Sequence, residues 1–318
     1  MNKNEFKLLI VDDIHPVFIE SVEKAGIQVD YQPDIQHRQA ASVIGDYDGL
    51  IVRSKFKVDV PFLDRGLKLK IIGRAGAGVD NIDTVYAESK NIALVSAPEG
   101  NCDAVAEHML GMLLALFNKI IVADAEVRHG QWRREENRGI ELTGRTVGLI
   151  GYGNNGSAMA RKLSGFDVEI LAYDKYKTGF GTEVVQEVAM DELFEKADVL
   201  SLHIPLTTET RAVVDRDFLQ KFKKPIFFLN GARGGIVDIE AILEAIDKKM
   251  ILGACLDVLP IEKVIEQQKQ EWFSKLASLD NVVLTPHVAG WTVESYYKIS
   301  KVLADKVIAG YQQLQGAS

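Results

Sequence analysis

The chain has 318 residues, more than one hydrophobic core usually supports, so two domains are expected. Apolar residues make up 47% and charged residues 26%, which is typical of an ordinary globular protein. The net charge of −8 leaves no basic excess to neutralise nucleic-acid phosphates, so nucleic-acid binding is not expected. Small anionic substrates are compatible with this charge, because local arginines can bind them.

The start of the chain and its apolar runs give no sign of export or of a membrane partner. The opening residues, MNKNEFKLLIVDD, lead directly into a predicted strand and lack the layout of a signal peptide. The longest uninterrupted apolar run, 109–117, is too short to cross a bilayer. The two cysteines, Cys102 and Cys255, are far apart and in no metal-like spacing, so no metal site is predicted. These features predict a reducing, cytoplasmic location.

Short apolar segments alternate with helical patterns through the first hundred residues. A helix is predicted over 16–26, where Pro16 suits the first turn and Gly26 suits a C-terminal cap. The apolar segments carry apolar residues on both faces, which is typical of strands in a covered parallel sheet. They are 8–11, 49–52, 69–73 and 92–96.

The same alternation restarts after residue 145. The strands predicted there are 146–151, 169–174, 199–204, 226–231, 251–257 and 282–286. One long helix is predicted between the two runs, from about Cys102 to His129, and a final helix from about Thr292 to Gln315. No low-complexity linker separates the runs. The fold class predicted is therefore α/β, with two Rossmann-like, doubly wound parallel sheets joined by long helices.

One alternative concerns the acidic pair in VDDI, residues 11–14, which follows the first strand as in a phospho-receiver domain. Such a domain needs a phosphorylatable aspartate at the end of its third strand. Here that strand ends in Arg53 and Ser54, so the receiver interpretation is disfavoured.

The segment GLIGYGNNGSA, 148–158, has the spacing of a dinucleotide-binding turn, with Gly151, Gly153 and Gly156 in the three glycine positions. A predicted strand precedes it and a predicted helix follows, which is the order such a turn requires. The glycines permit a tight turn, close approach to a pyrophosphate, and close packing of helix on strand. Asn154 and Asn155 would present backbone N–H groups to the phosphates at the start of the helix.

An acidic residue ends the next predicted strand. Asp174 lies 23 residues after Gly151 (174 − 151), where a carboxylate can accept both ribose hydroxyls of an adenosine and repel a 2′-phosphate. This predicts NAD rather than NADP, although Lys175 beside it leaves room for mixed use. A turn-forming aspartate at a strand end is the alternative interpretation.

Three charged side chains follow predicted strands of the second run. They are Arg233 in NGARGGIVD, Glu262 in LDVLPIE and His287 in TPHVAGWT. Ligands of open parallel sheets bind beyond the carboxyl ends of the strands, so all three are expected on the edge that carries the glycine turn. Oxidation of a 2-hydroxy acid requires a base such as histidine, a carboxylate that orients it, and a guanidinium that binds the substrate carboxylate. Taken singly, each has an ordinary structural role as a cap or surface charge.

At these residues the chain resembles the D-isomer-specific 2-hydroxyacid dehydrogenases, and within them the D-3-phosphoglycerate dehydrogenases. The resemblance extends over nearly the whole chain, through GLIVRS, GRAGAGVDNID, GNCDAVAEHMLGMLLAL, GRTVGLIGYGNNG, LSLHIPLTTET, NGARGGIVD, LDVLPIE and TPHVAGWT in the family's order. It implies a substrate-binding, flavodoxin-like domain made of 1–100 plus 290–318. It also implies an NAD-binding Rossmann domain made of 101–289, with NAD as the cofactor.

The resemblance also implies roles for individual residues. Arg233, Glu262 and His287 would be the catalytic residues. The cofactor would be bound by the glycine turn with Asp174, and by further positions along its cleft: His203, Pro205, Thr207, Ala232, Asp257 and Gly290. The substrate carboxylate would bind the backbone of the loop Ala75, Gly76, Ala77 and Gly78.

Substrate choice depends on three arginines. Arg53 and Arg74 match arginines that face the substrate phosphate in phosphoglycerate dehydrogenases, and Arg134 would reach across a dimer contact. Together they favour D-3-phosphoglycerate over glycerate or another unphosphorylated acid. Pairing of Arg53 with a nearby acid is the structural alternative.

The sequence departs from the family pattern at two places. It stops at Ser318, so a C-terminal regulatory domain and serine feedback are not expected. Lys263 follows Glu262 where the family often has proline, and a charged helical stretch comes next. The sequence therefore leaves open whether this loop directs Glu262 toward His287.

Two other functions compete with a 2-hydroxyacid dehydrogenase. A formate dehydrogenase of this fold would not need a proton-transfer pair, whereas a non-catalytic NADH sensor would not need turnover. A homodimer is predicted through the 102–129 helix and the QWRR segment, because HMLGMLLALF carries more apolar positions than one core-facing stripe needs.

Overall fold

Two units make up the chain in the computed structural model, which describes residues 6–316. One unit combines the chain up to Asn101 with the segment that begins at Trp291, and the other is Cys102–Gly290. Residues 1–5 and 317–318, which belong to the predicted substrate-binding domain, lie outside the described residues.

The first unit contains a five-stranded sheet in which every pair of neighbouring strands is parallel. The strands are β1 (Lys7–Ile10), β2 (Gln28–Tyr31), β3 (Gly49–Val52), β4 (Ile71–Arg74) and β5 (Ala93–Ser96). Their order, β2-β1-β3-β4-β5, reverses direction between β1 and β3, as in a flavodoxin-like doubly wound sheet.

Helices cover both faces of this sheet. They are α1 (Pro16–Lys24), α2 (His37–Val43), α3 (Val60–Leu63), α4 (Thr84–Ser89) and a C-terminal helix, Val293–Gly316, with 3₁₀ turns at Ile44–Asp46 and Pro98–Gly100. The C-terminal helix buries Leu303 and Val307 in the same apolar cluster as Ile71. Its backbone approaches Gly100 so closely that a Cβ there would lie 2.5 Å from the amide nitrogen of Ile299. The return segment is thus an integral part of the first unit.

The second unit contains a seven-stranded sheet that is also entirely parallel. The strands are β6 (Thr146–Ile150), β7 (Glu169–Tyr173), β8 (Val185–Glu187), β9 (Val199–Leu202), β10 (Ile226–Asn230), β11 (Ile251–Leu256) and β12 (Val282–Leu284). Their order is β12-β11-β10-β9-β6-β7-β8, and the winding direction reverses between β6 and β9. Both sheets match the predicted fold class, which is confirmed.

Eight helices of four or more residues lie in the second unit among residues 6–316. They are α5 (Cys102–Phe117), α6 (Ile120–Arg128), α7 (Asn154–Leu163), α8 (Met190–Lys196), α9 (Arg216–Leu219), α10 (Ile239–Asp247), α11 (Val264–Gln267) and α12 (Glu271–Ala277), with a 3₁₀ turn at Gly234–Ile236. The charged stretch after Glu262 thus forms two short helices, α11 and the start of α12.

The expectation of one helix from Cys102 to His129 is wrong. The chain bends by 61° between α5 and α6, where Lys119 adopts a left-handed conformation with φ of +52°. The two parts also differ in burial, since α5 is largely buried whereas no residue of α6 is. A continuous apolar run concealed this bend, because periodicity does not report one left-handed residue.

Two strands were not predicted, β2 and β8, and both lie at the edge of their sheets. Their side chains are mostly exposed or half-buried, so they lack the two-sided apolar pattern of the central strands.

Within residues 6–316 no single helix is both long and apolar enough to cross a membrane; only the bent pair α5 and α6, taken together, meets the length and composition required.

Candidate functional site

The glycine turn lies at the end of β6, next to the point where the sheet reverses its winding direction. Gly151 has φ of +94°, and a Cβ there would lie 2.6 Å from the carbonyl oxygen of His203. A Cβ on Gly156 would overlap the carbonyl oxygen of Gly151. Both positions therefore require glycine for turn geometry and for helix–strand packing. Gly153 differs, because nothing lies within 4 Å of the position its Cβ would take.

That open space is where a ligand can approach the backbone. Gly153 is the N-cap of α7, and the N–H groups of Asn154 and Asn155 donate to no other group within residues 6–316. Asn155 also has a buried side-chain oxygen without a hydrogen-bond partner in this part of the chain. Free N–H groups at a helix start bind anions such as a pyrophosphate. The turn accordingly fits a dinucleotide.

Asp174 follows β7 and is fixed by the backbone around it. Its carboxylate accepts N–H groups from Tyr152 at 2.8 Å, Tyr176 at 2.9 Å and Lys177 at 3.0 Å. Partial burial raises the pKa of this carboxyl, but the three backbone donors and Lys177 outweigh it and hold the pKa below its usual value. The group therefore stays ionised, with lone pairs left for ribose hydroxyls.

Lys175, the residue that left room for NADP, forms an ion pair with Glu209. The hydroxyl of Tyr176 also donates to Glu209. The lysine beside Asp174 is thus already neutralised by a carboxylate in this structure.

The loop after β9 carries the next predicted cofactor residues. His203 lies beside the turn, where its N–H donates to the carbonyl of Ile150 and its Nε2 lies 2.9 Å from the Ser201 hydroxyl. Burial lowers the pKa of His203 to about 4, so its ring is neutral near pH 7. The hydroxyl of Thr210 donates to the carbonyl of Pro205 at 2.6 Å and pairs with the hydroxyl of Thr207, which holds the loop in one shape.

Arg233, Glu262 and His287 follow β10, β11 and β12, which are three adjacent strands. Because these strands are parallel, all three residues follow the carboxyl ends of the strands and lie at the same end of the sheet. The Arg233 loop is held by the buried side chain of Asn230, which accepts the N–H of Ala232 and donates to the Arg233 carbonyl, each at 3.0 Å. One Arg233 nitrogen, Nη1, donates to the carbonyl of Ala232 at 2.7 Å.

Glu262 and His287 form a direct pair. The Nδ1 atom of His287 lies 2.9 Å from the Glu262 carboxylate. An ionised carboxylate only accepts hydrogen bonds, so Nδ1 carries the hydrogen and the lone pair of the neutral ring is on Nε2. Nε2 makes no hydrogen bond within residues 6–316, and the side chain is 45% exposed. This geometry gives His287 one oriented and accessible ring nitrogen, Nε2.

A buried carboxylate fixes the loop that carries His287. Asp257 is 1% exposed and accepts the Thr285 hydroxyl at 2.6 Å and the N–H groups of Val288 and Ala289 at 2.9 and 3.0 Å. His287 has φ of +55°, and its own N–H donates to the Asp257 carbonyl at 2.8 Å. Asp257, for which the family resemblance implies a cofactor role, positions the histidine in this structure. Gly290 ends this loop as the last residue of the second unit.

Sequence reasoning missed one member of this network. His108 on α5 places its Nε2 3.0 Å from the Thr285 hydroxyl and 3.6 Å from the Asp257 carboxylate. A lone histidine in an apolar helical stretch gave no signal for this, because its partners lie far away in the sequence.

Among residues 6–316 no group of three or more histidine, cysteine or acidic side chains is arranged to hold a metal ion.

The predicted substrate residues of the first unit lie at the carboxyl ends of β3 and β4. The loop after β4 bears three successive N–H groups, of Gly76, Ala77 and Gly78, that donate to nothing else in residues 6–316. Gly76 has φ of +141°, and a Cβ there would overlap the Arg74 guanidinium, whose Nη1 donates to the Ala75 carbonyl. Consecutive free N–H groups of this kind bind carboxylates and other small anions.

Arg53 follows β3. Its surroundings test whether it pairs with a nearby acid, which was the structural alternative to phosphate binding. Its backbone N–H donates to Asp12 at 2.8 Å, but within the described part of the chain its guanidinium makes neither a hydrogen bond nor an ion pair. Arg134 lies on an exposed segment after α6, within the second unit.

Comparison with known proteins gives the chain its family. Residues 110–289 match the family described as D-isomer specific 2-hydroxyacid dehydrogenase, NAD binding domain. The chain is 36% identical over 304 residues to the D-3-phosphoglycerate dehydrogenase of Archaeoglobus fulgidus, an alignment that covers 95% of this chain and 56% of that protein. It is 37% identical over 273 residues to the hydroxypyruvate reductase of Thermotoga maritima, which covers 86% of this chain and 88% of that protein.

Solved structures agree with these sequence relatives. The D-lactate dehydrogenase from Aquifex aeolicus, complexed with NAD and lactic acid, superposes with a TM-score of 0.82 at 26% identity and 98% coverage of both chains. The protein therefore belongs to the D-isomer specific 2-hydroxyacid dehydrogenases, and its second unit contains an NAD-binding domain. The chain spans little more than half the length of the phosphoglycerate dehydrogenases that it matches.

Alanine substitutions in the glycine turn distinguish its role in ligand binding from its role in packing. Gly153→Ala has room for the methyl group, so we expect an unchanged unfolding temperature but NADH affinity weakened at least tenfold. Gly156→Ala forces a methyl group onto a carbonyl oxygen, and we expect it to destabilise the protein by about 1–3 kcal/mol. Thermal unfolding and NADH fluorescence titration measure both effects.

Gly165→Ala is the control, because a Cβ at Gly165 also meets open space and lies after the end of α7. Unchanged NADH affinity in Gly153→Ala would contradict the assignment of this turn to the pyrophosphate.

Proposed function

We propose that the protein is an NAD-dependent D-2-hydroxyacid dehydrogenase. The observation that carries this proposal is the His287–Glu262 pair, 2.9 Å apart, with Nε2 of the histidine left free. A pair of this kind moves a proton, which a protein that only senses NADH does not need and which formate oxidation does not require. The dinucleotide turn in the same unit supplies the other half of the chemistry.

In the proposed mechanism, Nε2 of His287 removes the proton of the substrate hydroxyl. Glu262 holds the ring in the tautomer this requires and stabilises the imidazolium that forms. Arg233 binds the substrate carboxylate through its guanidinium and polarises the carbonyl in the reverse direction. NAD held at the glycine turn would supply the hydride acceptor for the carbon that carries the hydroxyl. Asp257 keeps the His287 loop in place throughout.

The substrate we propose is D-3-phosphoglycerate, oxidised to 3-phosphohydroxypyruvate, which would place the enzyme in serine biosynthesis. Support comes from the free Arg53 guanidinium, which suits a phosphate, and from the free N–H groups of Gly76, Ala77 and Gly78, which suit a carboxylate. A reductase of an unphosphorylated acid, such as hydroxypyruvate, is the second candidate, favoured by the Thermotoga relative of that name. Cytoplasmic localisation stays a prediction.

A homodimer also stays a proposal, and the exposed apolar side chains of α6 support it. Ile120, Ile121 and Val127 are each more than half exposed, and Trp132 just beyond the helix is 79% exposed. A second copy of the chain, packed across a two-fold axis, would cover such a surface. In that dimer Arg134 would serve the partner's substrate.

Exchange of the proposed base tests the mechanism. We expect His287→Asn to lower kcat by about 10²–10⁴-fold, because no other group takes the hydroxyl proton. NADH affinity should stay close to that of the unchanged protein, since the glycine turn is not altered. Steady-state kinetics and NADH fluorescence measure the two quantities. Turnover retained in this variant would sink the proposed mechanism.

Removal of the Arg53 guanidinium tests the substrate. If Arg53 binds a phosphate, Arg53→Ala should raise KM for phosphohydroxypyruvate about 100-fold and leave KM for hydroxypyruvate nearly unchanged. Arg65→Ala, which removes an exposed arginine of the same unit, is the matched control and should alter neither value. Equal effects of Arg53→Ala on both acids would contradict a phosphate role.

The dimer is tested by a charge placed on α6. Sedimentation velocity should show a dimer at micromolar concentration, and Ile121→Glu should shift it toward monomer, because a carboxylate cannot be buried there without a partner. A monomer at micromolar concentration before any substitution would refute the homodimer.

A further inference from the structure

Arg53 lies against an aromatic ring from the other end of the chain. The central carbon of its guanidinium is 3.6 Å from the centroid of the Trp291 ring, the first residue of the return segment. At this distance the guanidinium stacks on the indole face, the most favourable surface for a cation–π contact. Both residues belong to the first unit.

The indole ring is itself held by its neighbours. The ring of Tyr296 meets it edge-on, with centroids 5.5 Å apart and planes at 74°. The Tyr296 hydroxyl donates to Asp13 at 2.9 Å, and the Tyr31 hydroxyl reaches the other oxygen of that carboxylate at 3.3 Å. The indole ring under the guanidinium is therefore held by the return segment and, through Tyr296 and Asp13, by the N-terminal part of the first unit.

The backbone of Arg53 is fixed separately. One oxygen of Asp12 accepts the N–H groups of Arg53, Ser54 and Lys55 at 2.8–3.0 Å. This carboxylate fixes the loop through its backbone, and it does not bond to the guanidinium. The side chain is consequently positioned by Trp291 rather than by an ion pair.

This arrangement leaves the N–H donors of the Arg53 guanidinium available to a ligand. Stacking occupies one face of the guanidinium, whereas its five N–H donors point outward in the plane of the group. None of them donates to another group within residues 6–316. Burial lowers the pKa of Arg53, although the charges of Asp12, Asp13 and Tyr296 act in the opposite direction. A half-buried guanidinium whose N–H donors are unused suits an oxyanion that accepts two parallel hydrogen bonds.

We propose that Trp291 is a positioning residue that holds the Arg53 guanidinium for the phosphate monoester group of the substrate. The proposal rests on the phosphorylated substrate proposed above and assigns a specificity role to a residue outside the catalytic trio. Carboxylates share this hydrogen-bonding chemistry, so the test includes an arm that distinguishes the two anions.

Kinetics of two Trp291 variants supply the first test. Trp291→Leu fills much of the volume without a π face, and we expect KM for phosphohydroxypyruvate to rise about tenfold, with kcat within twofold. KM for hydroxypyruvate should not change. Trp291→Phe retains a ring and should restore KM to within about threefold of the original value. Equal losses in both variants, or a rise in KM for both acids, would overturn the positioning role.

Intrinsic fluorescence supplies a test that needs no turnover. Titration of the full chain with inorganic phosphate, in a phosphate-free buffer, should change the tryptophan emission, because an anion on Arg53 alters the charge above the Trp291 ring. Acetate should produce a smaller change at equal ionic strength. The signal should vanish in Trp291→Phe and persist in Trp272→Phe, the control that removes a buried tryptophan of the second unit. A phosphate signal that persists in Trp291→Phe would overturn the proposal.

The two tests separate this inference from the proposed function. If the enzyme prefers an unphosphorylated acid but phosphate still changes the Trp291 signal, the substrate assignment fails and the phosphate contact stands. If the enzyme turns over the phosphorylated acid and Trp291→Leu behaves as the original protein, the positioning role fails and the substrate assignment stands.

Discussion

Parallel pairing of the strands is the constraint on which the whole arrangement depends. Because neighbouring strands run the same way, every strand of a sheet delivers its following loop to the same edge. In the second unit this edge receives the glycine turn after β6, Asp174 after β7, and the three charged side chains after β10, β11 and β12. In the first unit the same rule collects Arg53 after β3 and the Ala75–Gly78 loop after β4. Strand pairing thus brings residues that are far apart in the sequence to the same end of a sheet.

Aspartate side chains that accept hydrogen bonds from the backbone then fix the loops that follow the strands. Asp12, Asp174 and Asp257 all follow a strand, and each carboxylate accepts three hydrogen bonds, all or most of them from backbone N–H groups. Backbone dipoles satisfy these charges, so no arginine is consumed in neutralising them. Near Arg53 this applies to Asp12, whereas the neighbouring Asp13 accepts the hydroxyls of Tyr296 and Tyr31. The negative charges shape the loops, and the positive charge remains available to an anion.

The features of the site that could be predicted from the sequence are those that depend on residues close together in the chain. The glycine spacing, the two-sided apolar strands and Asp174 identify a dinucleotide turn, because turn geometry and phosphate binding both depend on neighbouring residues. The edge strands β2 and β8 escaped prediction, since half-exposed strands lack an apolar pattern. The bend at Lys119 escaped it as well, because one left-handed residue leaves the apolar run intact.

The sequence by itself determined the family, the doubly wound fold class and NAD as the cofactor, since these depend on ordered motifs and on hydrophobic patterns that act locally. Only the tertiary structure decided what each charged group faces. It brings His287 to Glu262, 25 residues apart, and places Trp291 under Arg53, a contact between opposite ends of the chain. It also shows that Asp12 accepts the backbone N–H of Arg53 and does not bond to its guanidinium. Electrostatic partners depend on distances through space, and those distances are set only when the sheets and the return segment have packed.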